Sequence, residues 1–147
     1  MQILPRRTVL YVEDHPVNAL LMAAIFERRP ALDLVIATRG EEALRMARGL
    51  SPALLLVDLN LPDTHGSALL AQLRALPGYE QVSAVAVTSD VHFATPECGF
   101  CELWPKPLCV DDVLLRLDAL TGTVPPPAPV LARELLASLG TRAFALG

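Results

Sequence analysis

No run of apolar residues in this chain reaches the roughly 18 to 20 needed to span a bilayer, and no dense cluster of lysine and arginine appears along it. The first absence excludes a membrane-spanning helix. The second argues against direct nucleic-acid binding, because neutralising phosphates takes clustered cations. The N-terminal MQILPRRTVLYVED also lacks the apolar core and small-residue cleavage site of a secretory leader. Cysteine is scarce. Three residues, an odd number without framework spacing, suit a reducing cytoplasm better than a disulfide scaffold. Charge is thin as well, at 19% of residues and a net −4 from 16 acidic and 12 basic side chains.

Apolar residues fill the space that charge leaves. They make up 52% of the 147 residues, with a mean hydropathy of +0.42, which excludes disorder and leaves apolar surface for a partner to cover. Short apolar runs alternate with helical patterns. Thr8–Val12 reads as a strand ending in Glu-Asp, and Pro16 opens a helix to Arg28. Leu32–Ala37 is a second strand, and Thr38 is placed to cap a helix from Gly40 to Arg48. Leu54–Val57 is a continuous apolar run of the kind buried on both faces of a parallel sheet.

Gly66 and Ser67 lead into a helix to about Leu76, Ser83–Val87 is a fourth strand, and Leu103–Trp104 marks a fifth. Val110–Leu120 is helical, with Asp111 and Asp112 favouring the dipole of its first turn. The alternation predicts an α/β domain with a parallel sheet over residues 1–121. A proline-rich linker follows at 122–129, and then an amphipathic C-terminal helix and tail at 130–147. Residues 91–100 carry no helical period, so the fourth crossover is predicted to be short or irregular.

Sites in open parallel sheets form outside the carboxyl ends of the strands. The residues at those ends are Glu13 and Asp14, then Asp58, Thr88 and Lys106. Three carboxylates brought together repel, and a hard divalent cation such as Mg²⁺ relieves them, while a hydroxyl and an ammonium beside them suit the oxygens of a phosphoryl group. Glu13-Asp14 would in addition cap the following helix.

The motifs YVEDHPVN, LLLVDLNLPDTHG, AVTSD and WPKPL, in this order and spacing, resemble the receiver domain of two-component response regulators over roughly residues 7–121. The resemblance implies a flavodoxin-like doubly wound five-stranded sheet in the order 2-1-3-4-5. It implies Asp58 as phosphoacceptor and Glu13, Asp14, Asp58 and the Asn60 backbone carbonyl as the Mg²⁺ site. Thr88 becomes the switch hydroxyl, Lys106 the phosphoryl partner, and Lys106-Pro107 a cis bond. Asn60 and Asp90 fall where the family modulates water attack. The implied donor is a histidine kinase or histidine phosphotransfer protein, in the cytoplasm, with output by partner binding or self-association. No catalysis is implied beyond the domain's own phosphorylation and dephosphorylation.

Two features depart from that pattern. The aromatic switch position is Leu103, with Trp104 one place later on the opposite strand face. The Thr88–Lys106 interval is also about a helical turn short. Two rival readings stay open: a receiver-like scaffold working by constitutive dimerisation, and a zinc or thiol sensor at residues 92–109 built from His92, Cys98, Cys101 and Cys109. Outside a sensor, the cysteines would line a small core. His15 and His65 lie at the rim, as structural or solvated residues.

Overall fold

Strand residues with a period of two present alternate side chains to opposite faces, so a strand apolar throughout can seat helices on both. The computed structural model describes residues 6–90 and 98–123. Five strands, β1 (Arg7–Val12), β2 (Leu32–Ala37), β3 (Leu54–Asp58), β4 (Ser83–Thr88) and β5 (Glu102–Pro105), form one parallel sheet in the order β2-β1-β3-β4-β5. Four helices are described: α1 (Pro16–Phe26), α2 (Gly40–Ala47), α3 (Gly66–Arg74) and α4 (Val110–Thr121). The strands agree with the sequence expectation to within a residue or two. Helices α1, α2 and α3 stop one to two residues earlier than expected. No helix among the described residues is long and apolar enough to cross a membrane.

The alternation sorts the core into two layers. Leu10, Val12, Leu55, Val57, Ala84 and Ala86 pack with Ala43 of α2 and Leu69 and Leu73 of α3. Their neighbours Val9, Tyr11, Leu54, Leu56, Val85 and Val87 pack with Met22 and Ile25 of α1 and Val113 and Leu117 of α4. On β4 the split is also one of size. Alanines face the first layer, where Tyr79 and Phe100 take up the volume, and valines face Trp104 in the second.

Polar ties close the edges. Arg29, 9% exposed after α1, grips Asp118 of α4 through Nε at 2.6 Å and Nη2 at 2.9 Å. Arg7 at the start of β1 donates to the Thr121 carbonyl, one of the orphan acceptors ending α4. Gly122 then closes that helix in the left-handed region, at φ 69°.

Helix starts depart from expectation. Glu13 and Asp14 do not cap α1. His15 does, accepting the Val17 N–H, and His65 caps α3 by accepting the Ser67 N–H at 3.2 Å. Thr38 does not cap α2 either, because the cap position is Arg39, whose side chain makes no capping bond. The expected C-terminal helix and tail at 130–147 and most of the linker lie outside the described residues, as does most of the fourth crossover, expected to be short or irregular.

Gly66 sets how closely α3 approaches the sheet. A Cβ there would stand 2.7 Å from the Asp58 carbonyl oxygen and 2.9 Å from Leu59 Cα, both backbone atoms that cannot swing away. Gly66→Ala is therefore expected to lower the unfolding free energy by about 1–3 kcal/mol in urea titrations. An unchanged midpoint would mean that α3 can back off at no cost.

Candidate functional site

The sheet register dictates which side chains meet. Val12 of β1 pairs with Val57 of β3, so the next residues, Glu13 and Asp58, come level at the carboxyl edge. Asp58 pairs with Val87 on β4, and Thr88 pairs with Pro105 on β5. Lys106 follows at once, its N–H bonded to the Thr88 carbonyl at 3.0 Å and its bond to Pro107 cis. From the edge strand the lysine stem reaches back across β4. Its ammonium lies 2.8 Å from Glu13 Oε1 and 3.1 Å from Asp58 Oδ2.

Glu13, Asp14 and Asp58 each offer a carboxylate oxygen, and these atoms lie within 4.8 Å of one another. Glu13 and Asp58 are buried and Asp14 is exposed. Three carboxylates against one ammonium leave an excess of two negative charges when all are ionised. Glu13 bears most of the strain. Its Oε1 accepts from Lys106 and, at 3.3 Å, from the Tyr11 hydroxyl, while the buried Oε2 has no hydrogen-bond partner among the described residues. A desolvated, unpaired carboxylate oxygen is costly, and it is answered by a proton or by a cation. Without a cation, burial first and then the neighbouring Asp58 push the Glu13 carboxyl up to about 7.

Lys106 titrates the other way. Burial pulls its pKa down, but the bonds to Glu13 and Asp58 outweigh burial and raise it, so the ammonium stays charged. Burial also raises the Tyr11 hydroxyl, with the Glu13 charge adding to it.

The orphaned Oε2 and the oxygen-only donor set fit a hard divalent cation such as Mg²⁺. Asn60 stands beside the cluster and donates its N–H to Asp58 Oδ1 at 3.1 Å. Thr88 is buried at the end of β4, with Oγ1 accepting the Asp90 N–H at 3.0 Å. The structure thus brings Glu13, Asp14, Asp58, Asn60 and Lys106 together, with Thr88 on the adjoining strand end.

The cysteines do not assemble. Cys98 is half-buried against the α2–α3 layer, whereas Cys101 and Cys109 are exposed, so only one of the three lines a core. They form no ligand cluster among the described residues, and His92 lies outside those residues. Trp104 is 5% exposed in the α1–α4 layer, with its indole N–H given to Glu102 at 3.1 Å.

Sequence reasoning passed over Tyr11, although a tyrosine two residues before Glu13 shares its strand face. It also passed over a signal in composition: Lys106 is the only lysine in the chain, beside eleven arginines.

The chain belongs to the response regulator receiver domain family, whose model matches residues 9–114. It is 34% identical over 90 residues to a putative transcriptional regulator of Pseudomonas aeruginosa, a match covering 61% of this chain and 43% of that protein. The chain thus spans less than half the length of that relative. A CheY-like receiver domain from Methylobacillus flagellatus superposes with TM-score 0.70 at 28% identity, covering 78% of this chain and 98% of that one. The receiver domain of a sensor histidine kinase from Pseudomonas aeruginosa PAO1 superposes with TM-score 0.72 at 23% identity, over 80% of this chain and 99% of that one. That structure holds a magnesium ion in its active-site cleft.

The raised Glu13 pKa gives a signed pH dependence. Between about 4.5 and about 7 the folded state holds a proton that the unfolded chain has lost. The stabilisation from the protonated carboxyl is full below that window and gone above it. In metal-free buffer the melting temperature of the wild type should fall relative to Glu13→Gln by roughly a few °C across the window. Parallel pH profiles for the two proteins would count against this titration.

Proposed function

We propose that this domain is the phosphoacceptor of a two-component phosphorelay, taking a phosphoryl group on Asp58 from a histidine kinase or histidine phosphotransfer protein. The observation that carries the reading is Asp58 Oδ2 held 3.1 Å from the only lysine in the sequence, inside an acidic cluster whose buried Glu13 Oε2 has no partner among the described residues. The Asp58 carboxylate attacks phosphorus in line. The phosphorus–nitrogen bond of the donor breaks, its electron pair returns to the imidazole, and an acyl phosphate remains on Asp58.

Lys106 already touches the attacking carboxylate, so its charge is in place as negative charge builds on the phosphoryl oxygens. Thr88 Oγ1 accepts from Asp90, leaving its hydroxyl proton to donate to the new group. Glu13, Asp14, Asp58 and the Asn60 carbonyl would hold a Mg²⁺ ion, which when bound neutralises the carboxylates and the transferring group. Asn60 and Asp90, at the rim, would set how fast water removes the phosphoryl group. Beyond forming and losing its own acyl phosphate, the domain turns over no substrate.

The donor needs a landing surface, and α1 supplies one. This helix, PVNALLMAAIF, carries no charged residue, and Val17 and Leu20 in its first turns are 65% and 71% exposed. It starts two residues after Asp14, so a partner helix seated there would lie beside Asp58. In this reading residues 1–121 form the receiver, 122–129 a linker and 130–147 an appended segment, acting in the cytoplasm. One observation favours a second reading, a scaffold that self-associates without phosphorylation: Trp104 is buried and tied to Glu102, so the aromatic nearest the usual switch position is pinned.

Incubation with acetyl phosphate and Mg²⁺, followed by intact mass, separates the two. The wild type should gain one phosphoryl adduct, lost on treatment with EDTA before labelling and absent in Asp58→Asn. No adduct with any donor would favour the scaffold.

A further inference from the structure

Helix α2 is capped from a distance. Its first-turn N–H groups find no acceptor at the cap position, because Arg39 makes no side-chain bond to the helix. Asp63 takes two of them instead. Its Oδ1 accepts the Gly40 N–H at 2.8 Å and its Oδ2 the Glu41 N–H at 2.9 Å. These two backbone bonds, Glu41's first, hold the exposed Asp63 carboxyl below the usual carboxylate range. The fit is flush, since a Cβ on Gly40 would stand 2.5 Å from Thr64 Cγ2 and 3.3 Å from Asp63 Oδ1.

Asp63 belongs to the loop that leaves β3 at Asp58 and enters α3 at Gly66. The base of this loop is knitted to the acidic cluster. Asn60 donates to Asp58, Asn60 and His65 form an isolated antiparallel bridge, and the Gly66 N–H bonds to the Leu59 carbonyl at 2.8 Å. A loop fixed at its base and tethered at its tip has little freedom left to lose on binding. A backbone carbonyl in such a loop is therefore oriented in advance, much as an outer hydrogen bond orients a side-chain ligand.

We propose that Asp63 is a positioning residue for divalent-cation binding at the Glu13–Asp14–Asp58 cluster, holding the Asn60 backbone in place by fastening the loop tip to α2. The proposal rests on the cation site of the phosphoacceptor reading and reaches past it to a residue that touches neither cation nor phosphate. Asp63 has two separable jobs, capping α2 and tethering the loop, and only the second concerns the cation.

Calorimetric titration of the full chain with Mg²⁺ tests it. Asp63→Ala should weaken binding by about three- to tenfold, below the losses typical of groups bonded directly to a ligand. Asp63→Asn, which removes the charge but keeps one acceptor, should fall between the wild type and Asp63→Ala. Adding Arg39→Ser to Asp63→Ala gives α2 a cap of its own, so thermal stability should recover while the Mg²⁺ affinity does not. With acetyl phosphate, the labelling rate of Asp63→Ala should lag at low Mg²⁺ and match the wild type at saturation.

Unchanged affinity in Asp63→Ala overturns the proposal, and so does recovery of affinity with Arg39→Ser, which would make capping the whole effect. An Asp63→Asn loss as large as that of Asp63→Ala would assign the effect to charge and also sink it. Because calorimetry does not need phosphotransfer, a wild type that binds Mg²⁺ but never labels would refute the phosphoacceptor reading alone. A wild type that binds no Mg²⁺ would refute both.

Discussion

One ammonium holds the carboxyl edge of this sheet together. Lys106 bonds to Glu13 at 2.8 Å and Asp58 at 3.1 Å, and both carboxylates are buried. Buried carboxylates without a cation would either take up protons or push the strand ends apart. The bond joins β5 to β1 and β3, which are not its neighbours in the sheet, so it spans the site instead of decorating it. Arginine supplies eleven of the twelve basic residues but not this one. A compact ammonium on a flexible stem fits between two carboxylates, where a planar guanidinium demands a fork-shaped partner. Yet one positive charge does not balance three negative ones, and that imbalance suits the edge to a divalent cation.

The rest of the fold serves to bring these side chains level. Parallel strands in register carry Glu13 and Asp58 to the same height, and the bond from Lys106 N–H to the Thr88 carbonyl fixes where the lysine leaves the edge strand. Period-two alternation lets every buried strand feed two apolar layers, so the sheet is rigid beneath its charged rim. Gly66 completes the arrangement by letting α3 start against the carbonyl of Asp58 itself. Rigid support matters here because a site that relies on a few tenths of an ångström cannot sit on a mobile frame.

Strands and the strand-end residues were legible in the sequence because both are local. A buried parallel strand is written as an apolar run, and its end is the polar residue that follows, so LLLVD announced β3 and Asp58 together. Helix caps were misread for the opposite reason. Thr38 stands in the right place to cap α2 by local rules, but the acceptor comes from Asp63, more than twenty residues away, and only the folded chain brings it there. His15 and His65 hold cap positions that acidic and hydroxyl residues usually take, since an imidazole ring nitrogen can also accept a backbone N–H. The unpaired Glu13 Oε2 was beyond reach for the same reason, being a property of burial and not of order along the chain.

Output is where the local chemistry constrains most. A side chain works as a switch when it has two arrangements separated by only a few kcal/mol. Trp104 does not meet that condition easily: swinging it out would expose a buried indole and break its bond to Glu102, a carboxylate that Arg116 of α4 also grips. The Arg116 and Trp104 bonds together keep Glu102 ionised, Arg116 foremost. The loop from β3 to α3 makes a different connection. It touches Asp58 at one end and holds α2 at the other through two hydrogen bonds at an exposed carboxylate. Hydrogen bonds thus link Asp58 to α2 through this loop, whereas Trp104 is tied to Glu102 and through it to α4.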